Sequence, residues 1–197
     1  MEIKHSLCNQ KNLKEVFTDV YTLPLLSEVF CKEIIKKSNL LGFEVNERES
    51  VSCQIPECIL NEKDENFADF LLVNVIDGIA NKFFKSIWGR IVNTGNVQVA
   101  KYDIKENVET HFHHDTTSEV TVVIPLNTGD YLGGGTEFKK HGIVKPLPTG
   151  HALFFPSFTK EHRGLQTTQG SRYLLVFWLK FVTVSYTHLT LPTSSWV

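Results

Sequence analysis

Apolar positions recur at helical spacing through the first half of the chain and at strand spacing through the second, with the change near Val97. Leu26, Phe30, Ile34 and Ile35 make one stripe. Ser27 stands ahead of most of it as a helix cap, Glu28 and Glu33 precede Lys36 and Lys37 as the helix dipole prefers, and Gly42 can end the last turn. The spacing predicts a helix over 27–38. Phe67, Phe70, Leu71, Val75, Ile79 and Phe83 form a second stripe and predict a helix over 66–84, although Gly78 within it costs about 1 kcal/mol against alanine. The stretch 43–62 is polar and broken by Pro56, so it reads as an irregular loop with short strands. Residues 1–20 show no sustained period and read as a loosely attached polar arm.

From Val97 onward, short β-rich runs follow one another: NVQVAKYD alternates, VTVVIPLN and HALFFP are denser, and YLLVFWLKF is the longest and most apolar. Turn signals fall at Thr94-Gly95-Asn96, Thr128-Gly129-Asp130, Gly133-Gly134-Gly135 and Pro148-Thr149-Gly150. Many short strands after a helical start imply a mainly β, α+β protein: a sandwich or jelly roll with helices bracing one face. A parallel doubly wound sheet needs helices between its strands, and these strands leave no room for them. The Gly triplet precedes no helix and no Lys-Ser/Thr follows it, so it reads as a tight hairpin with positive φ rather than a phosphate loop.

The expected organisation is a polar arm over 1–20 and one domain over 21–182, with helical support over 21–90 and a β core over 91–182. Residues 183–197 are set aside. VSYTHLTLPT, at 184–193, reads as the translation of a sequencing adapter joined in frame to a truncated gene. At 197 residues the chain suits one domain with a proper core, and 42% hydrophobic with 21% charged residues is ordinary for a globular protein. A net charge of −2 supplies no basic field to attract nucleic acid or anionic lipid, so neither is an expected partner. Cys8, Cys31, Cys53 and Cys58 form no Cys-x-x-Cys pair and read as free thiols, with a Cys53–Cys58 bridge open in an oxidising compartment. The opening MEIKHSLCNQKNLK lacks an apolar signal core, which points to the cytoplasm, or to the endoplasmic reticulum lumen if a segment precedes it.

Candidate chemistry concentrates between His111 and Trp178. His113 and Asp115 stand two apart before the VTVVIPLN run, so on an extended segment both point to one face. His162 follows in KEHRGL, and Arg172 opens a strand too apolar to hide a guanidinium without a partner. Two imidazoles and one carboxylate offered from one side leave open positions on a metal, as in non-haem Fe(II) oxygenases. A His111/His113 pair is the rival local ligand set. For Arg172, the structural alternative to holding a small acid's carboxylate is a salt bridge to Glu161 or Asp103.

The order His-x-Asp, distal His, then Arg ten residues on resembles the signature of 2-oxoglutarate and Fe(II)-dependent dioxygenases. DVYTLPLLSE (19–28), VAKYD (99–103), HHD (113–115), DYLGGGTEF (130–138) and EHRGLQTTQGSRY (161–173) are similar to the catalytic domain of procollagen lysyl hydroxylases. The resemblance implies a double-stranded β-helix, a cupin-like jelly roll. It implies iron on His113, Asp115 and His162, the far carboxylate of 2-oxoglutarate on Arg172, and Tyr102 near that cosubstrate. It also implies O2 and ascorbate as co-reactants and a peptide or protein substrate, lysyl ahead of prolyl. Asp130, Glu137 and Glu119 are the nearby acids, read as turn or surface carboxylates rather than lysine-binding groups. Two other classes share the ligands. A cupin-like module would bind metal or a small acid without turnover, and a zinc hydrolase would use the same three residues plus water but leave Arg172 unexplained.

Overall fold

The computed structural model describes residues 2–45, 47, 54–89, 92–103 and 110–181. In chain order the strands are β1 (Lys14–Phe17), β2 (Val20–Pro24), β3 (Glu44–Val45), β4 (Pro56–Ile59), β5 (Val92–Asp103), β6 (Val120–Pro125), β7 (Leu132–Gly133), β8 (Thr136–Phe138), β9 (Gly142–Val144), β10 (His151–Pro156), β11 (His162–Gly164), β12 (Thr167–Gln169) and β13 (Ser171–Phe181). The helices are α1 (Glu28–Leu41), α2 (Leu60–Lys63), α3 (Glu65–Leu71), a π-helical stretch (Leu72–Ala80) and α4 (Asn81–Trp88). Ser27 caps α1 by accepting from the Phe30 amide, and Gly42, at φ 84°, closes it. Asp64 caps α3 in the same way through the Phe67 amide at 3.0 Å.

Among the described residues, eight strands make the main sheet in the order β1-β2-β10-β6-β13-β5-β4-β3, each adjacent pair antiparallel. Side-chain alternation gives this sheet two faces. Val99, Val122, Phe154, Leu175 and Phe177 point to one of them and pack against Phe30, Ile34, Leu71, Val75 and Phe84 of the helices. Each such fully buried side chain contributes about 1.5–3 kcal/mol, and this layer is the principal core. Ala100, Tyr102, Leu174 and Val176 point to the opposite face. Two smaller sheets, β11-β8-β9 and β12-β7, accompany the main one, and together they make the double-stranded β-helix.

The expected helices and strands are present with changed ends: the first helix runs three residues further, to Leu41, and the second continues to Trp88 through the π-helical stretch that contains Gly78. Three expectations are corrected. The arm is docked rather than loose: the His5 amide donates to the Leu25 carbonyl, the Ser27 amide donates to the Ile3 carbonyl, Cys8 is buried, and β1 is an edge strand of the main sheet. Thr94-Gly95-Asn96 forms no turn but lies within β5, with Gly95 opposite Leu179. A Cβ on Gly95 would stand 2.2 Å from the Trp178 carbonyl oxygen, so the glycine serves close strand approach. Gly133, Gly134 and Gly135 all have positive φ, but they join β7 and β8, which pair in different sheets, so the triplet is a link between sheets and not the expected hairpin. Cys8, Cys31 and Cys58 are buried free thiols; Cys53 and the segment 183–197 lie outside the described residues.

Candidate active site

Backbone pairing brings the two histidines together. The His113 amide donates to the His162 carbonyl and the His162 amide to the His113 carbonyl, each at 2.9 Å, so a single bridge joins the segment before β6 to the start of β11. Their ring centroids stand 4.6 Å apart. His113 Nδ1 lies 2.7 Å from the His111 carbonyl and His162 Nδ1 lies 2.9 Å from the Lys160 carbonyl. A carbonyl only accepts, so Nδ1 carries the proton in both rings and each Nε2 keeps its lone pair.

Asp115 faces both of those nitrogens, with Oδ1 3.5 Å from His113 Nε2 and Oδ2 3.7 Å from His162 Nε2. Thr121 on β6 donates its hydroxyl to Oδ2 and is tied to Ser157, which also receives the Ser118 hydroxyl at 2.8 Å. His162 is 7% exposed and wedged against Phe155, at 4.6 Å between centroids, with Phe138 beyond. Burial lowers its pKa and favours the neutral ring. Burial pushes the Asp115 carboxyl up, but the adjacent His113 ring, the neighbouring His162 and the Thr121 hydroxyl outweigh it, so the group sits below its ordinary value.

One ligand atom from each of His113, Asp115 and His162 falls within 4.8 Å of the others. Two nitrogen lone pairs and a carboxylate aimed at one point repel one another unless a cation lies between them. The set therefore fits a divalent ion held from one side by two imidazoles and a carboxylate, with positions open toward the cavity. His111 stays out of this set: it is exposed, and its carbonyl holds the His113 ring. His114 is exposed at the rim.

A cavity of about 620 Å³ opens over this face of the main sheet and is lined by the three clustered residues. Tyr102, Thr110 and Gly164 are also in its lining. Arg172 lies against Tyr102 and is not itself a wall residue. It is 3% exposed, its guanidinium stacks 5.0 Å from the Tyr102 ring centroid, and Nη1 and Nη2 donate to the carbonyls of Leu165 and Gly135 at 3.2 and 3.3 Å. Its Nε has no partner. Neither expected carboxylate reaches it, because Glu161 pairs with Lys139 at 2.6 Å and Asp103 lies 3.9 Å from Lys101. A guanidinium cannot shed its proton, so this buried cation has carbonyl and aromatic company but no counter-ion among the described residues.

The acids weighed from the sequence serve structure. Glu137 binds Arg163 at 2.7 Å, Glu119 accepts from the Phe181 amide at 2.6 Å, and Asp130 stands in a turn. Sequence reasoning missed Glu57 and Gln98, which line the same cavity. The alternation that carries Glu57 into it is cut short by Pro56, which made the segment read as loop.

This fold and donor set are those that non-haem iron oxygenases of the double-stranded β-helix class use. Residues 97–180, which carry the three clustered residues and Arg172, match the family model of the 2OG-Fe(II) oxygenase superfamily. That family implies Fe(II), 2-oxoglutarate and O2 as cofactor and cosubstrates, and the two imidazoles and carboxylate fit the iron. The chain is 26% identical over 170 residues to a multifunctional procollagen lysine hydroxylase and glycosyltransferase of Caenorhabditis elegans, covering 80% of this chain and 23% of that one. It is 29% identical over 177 residues to a procollagen lysyl hydroxylase and glycosyltransferase of Acanthamoeba polyphaga mimivirus, covering 82% and 19%. The chain thus spans about a quarter or less of the length of these relatives. A viral collagen prolyl hydroxylase from Paramecium Bursaria Chlorella virus-1, solved with 2OG, shares the fold with a TM-score of 0.58 at 19% identity, over 88% of this chain and 98% of that one.

Proposed function

We propose that this chain hydroxylates a peptidyl side chain, lysyl ahead of prolyl, while 2-oxoglutarate is decarboxylated to succinate. In this reading His113, Asp115 and His162 hold the iron, Arg172 holds the far carboxylate of 2-oxoglutarate, and Tyr102 borders that cosubstrate. When bound, iron with 2-oxoglutarate and O2 supplies the oxidation, one oxygen atom going to succinate and one to the substrate C–H bond. The protein's part is placement. The two Nδ1–carbonyl bonds and the Thr121 hydroxyl fix three donors toward one point, and a neutral His162 offers its lone pair without first losing a proton. The carboxylate of a bound acid would meet Arg172, supplying a counter-ion that the guanidinium lacks among the described residues. Phe155 and Phe138 keep water from the inner side of the centre.

The single observation that carries this reading is the convergence of His113, Asp115 and His162. Lysyl is placed ahead of prolyl because the relatives with the greater sequence identity are named as lysyl hydroxylases. Ascorbate would serve to keep the iron reduced, and a peptide or protein is the partner. The test is mass spectrometry of lysyl and prolyl peptides after incubation with Fe(II), 2-oxoglutarate, ascorbate and O2. A single added oxygen on lysine, matched by succinate, is the expected product; succinate without any hydroxylated peptide would refute the peptidyl assignment.

A further inference from the structure

A row of three buried hydroxyls ends on the Asp115 carboxylate. Ser118, Thr121 and Ser157 are 1%, 1% and 0% exposed. Ser118 Oγ stands 2.8 Å from Ser157 Oγ, Ser157 Oγ stands 2.9 Å from Thr121 Oγ1, and the Thr121 hydroxyl donates to Asp115 Oδ2. Each hydroxyl has one proton to give and an ionised carboxylate only accepts, so the directions are fixed from the Asp115 end. Thr121 spends its proton on Asp115 and therefore accepts from Ser157. Ser157, with its own proton spent on Thr121, accepts from Ser118. All three O–H dipoles run toward the carboxylate, and hydrogen bonds in such a chain strengthen one another.

The middle hydroxyl joins two parts of the site. Ser157 directly follows β10, which pairs with β6 through Pro156 opposite Val120, next to Thr121. The Ser157 amide also donates to the Glu119 carbonyl at 3.0 Å, so backbone and side chain both seat it on the segment that follows Asp115. Ser157 opens the turn 157–159 on the way to His162, and it alone of the three turn residues is buried: Phe158 is 55% exposed and Thr159 is exposed. Just past the turn, the Lys160 carbonyl accepts from the His162 ring. Ser157 is therefore where the path to one imidazole meets the support of the carboxylate.

We propose that Ser157 is a positioning residue of the metal centre: its hydroxyl fixes the Thr121 hydroxyl that aims Asp115 at the ion, and it acts on metal affinity through Thr121. This rests on the iron reading of His113, Asp115 and His162. Without the Ser157 proton, the Thr121 hydroxyl is held by one hydrogen bond instead of two, and the carboxylate it supports is held more loosely against the two Nε2 atoms. Ser118 stands at the far end of the chain. Its removal leaves Ser157 donating to Thr121, so an equally buried hydroxyl should matter to the fold and little to the metal.

The test measures Fe(II) affinity without O2, by competition with a chromophoric chelator. It compares the wild type with Ser157→Ala, Ser118→Ala, Thr121→Val and the Thr121→Val/Ser157→Ala double variant, each shown to be folded by urea unfolding of the metal-free protein. Ser157→Ala should weaken Fe(II) binding by about 10-fold, and Ser118→Ala by less than about threefold. Added to Thr121→Val, Ser157→Ala should cost less than about a further threefold, because the group it acts through is gone. Co(II) in the same site gives a spectroscopic readout, since its visible absorption follows coordination geometry. Ser157→Ala should change that spectrum as Thr121→Val does, and Ser118→Ala should keep the wild-type one. If Ser157→Ala does not fold, Ser157→Cys, similar in size but a weak donor, takes its place and is judged by the same comparisons. Unchanged Fe(II) affinity in the folded Ser157 variant, or a loss of about 10-fold that persists in the Thr121→Val background, overturns the proposal while leaving the iron site standing. A wild type that binds no Fe(II) would overturn the iron reading itself, and the proposal with it.

Discussion

Replacing Arg172 with methionine should abolish 2-oxoglutarate binding while leaving the ligand-free fold nearly as stable as before. The side chain donates to two carbonyls at 3.2 and 3.3 Å, long for a charged donor, so each bond contributes about 1 kcal/mol. Stacking on Tyr102 adds roughly 1–2 kcal/mol. Against these stands the cost of burying a guanidinium with no counter-ion among the described residues, several kcal/mol even after relaxation, which methionine does not incur. The terms offset to within about 2 kcal/mol, or roughly 4–8 °C in Tm for a chain of this size. The ligand-linked part behaves differently. At a hundred times its Kd, 2-oxoglutarate should stabilise the iron-loaded wild type by about 2.7 kcal/mol, raising Tm by roughly 5–11 °C, and should leave Arg172→Met unmoved. Thermal melts without O2, with Fe(II) and with or without 2-oxoglutarate, measure both. A ligand-free Tm lower by more than about 10 °C would make Arg172 a structural strut, and a surviving 2-oxoglutarate shift would remove it from the cosubstrate site.

Three further outcomes follow from particular contacts. Thr121→Val takes the hydroxyl from Asp115 and Ser157 and should weaken Fe(II) binding about 10–100-fold without unfolding the sheet, with Thr121→Ser restoring it; unchanged affinity in a metal titration would contradict the orienting role. Gly95→Ala drives a Cβ into the Trp178 carbonyl and should cost about 1–3 kcal/mol in urea unfolding, whereas a neutral effect would mean the β5–β13 contact is looser than described. Burial pushes the Cys31 thiol up to about 12 from 9.0. An acid whose folded pKa is raised stabilises the fold fully below its unfolded value, so this contribution should fall by about 1.4 kcal/mol per pH unit from pH 9 toward 12, with Cys31→Ala removing that part of the slope.

The helices and the strand-rich half were legible because each buries one face and so repeats its apolar residues at the matching period. Phe30 and Ile34 on α1, and the alternation through β13, are examples. His113, Asp115, His162 and Arg172 were legible because their types and order are unusual together, although sequence could not choose between His111 and Asp115 as the partner of His113. The Asp115 carboxylate, clustered with the His113 and His162 nitrogens while His111 stays exposed, makes that choice. The arm was hidden because β1 is an edge strand whose residues are mostly exposed, so no apolar period marks it. Gly95 misled because the same missing Cβ serves a turn or a close strand approach, and only the Trp178 carbonyl tells which. Glu57 was lost for a different reason: a four-residue strand starting at a proline carries too few alternations to show its face.

The account turns on His113, Asp115 and His162 acting as one iron site. The most direct measurement is Fe(II) bound per chain together with succinate formed from 2-oxoglutarate, for the wild type and His162→Ala, each confirmed folded. One Fe(II) per wild-type chain with succinate, and loss of both in the variant, is the expected result. Equal iron binding and equal succinate in the two proteins would contradict the site.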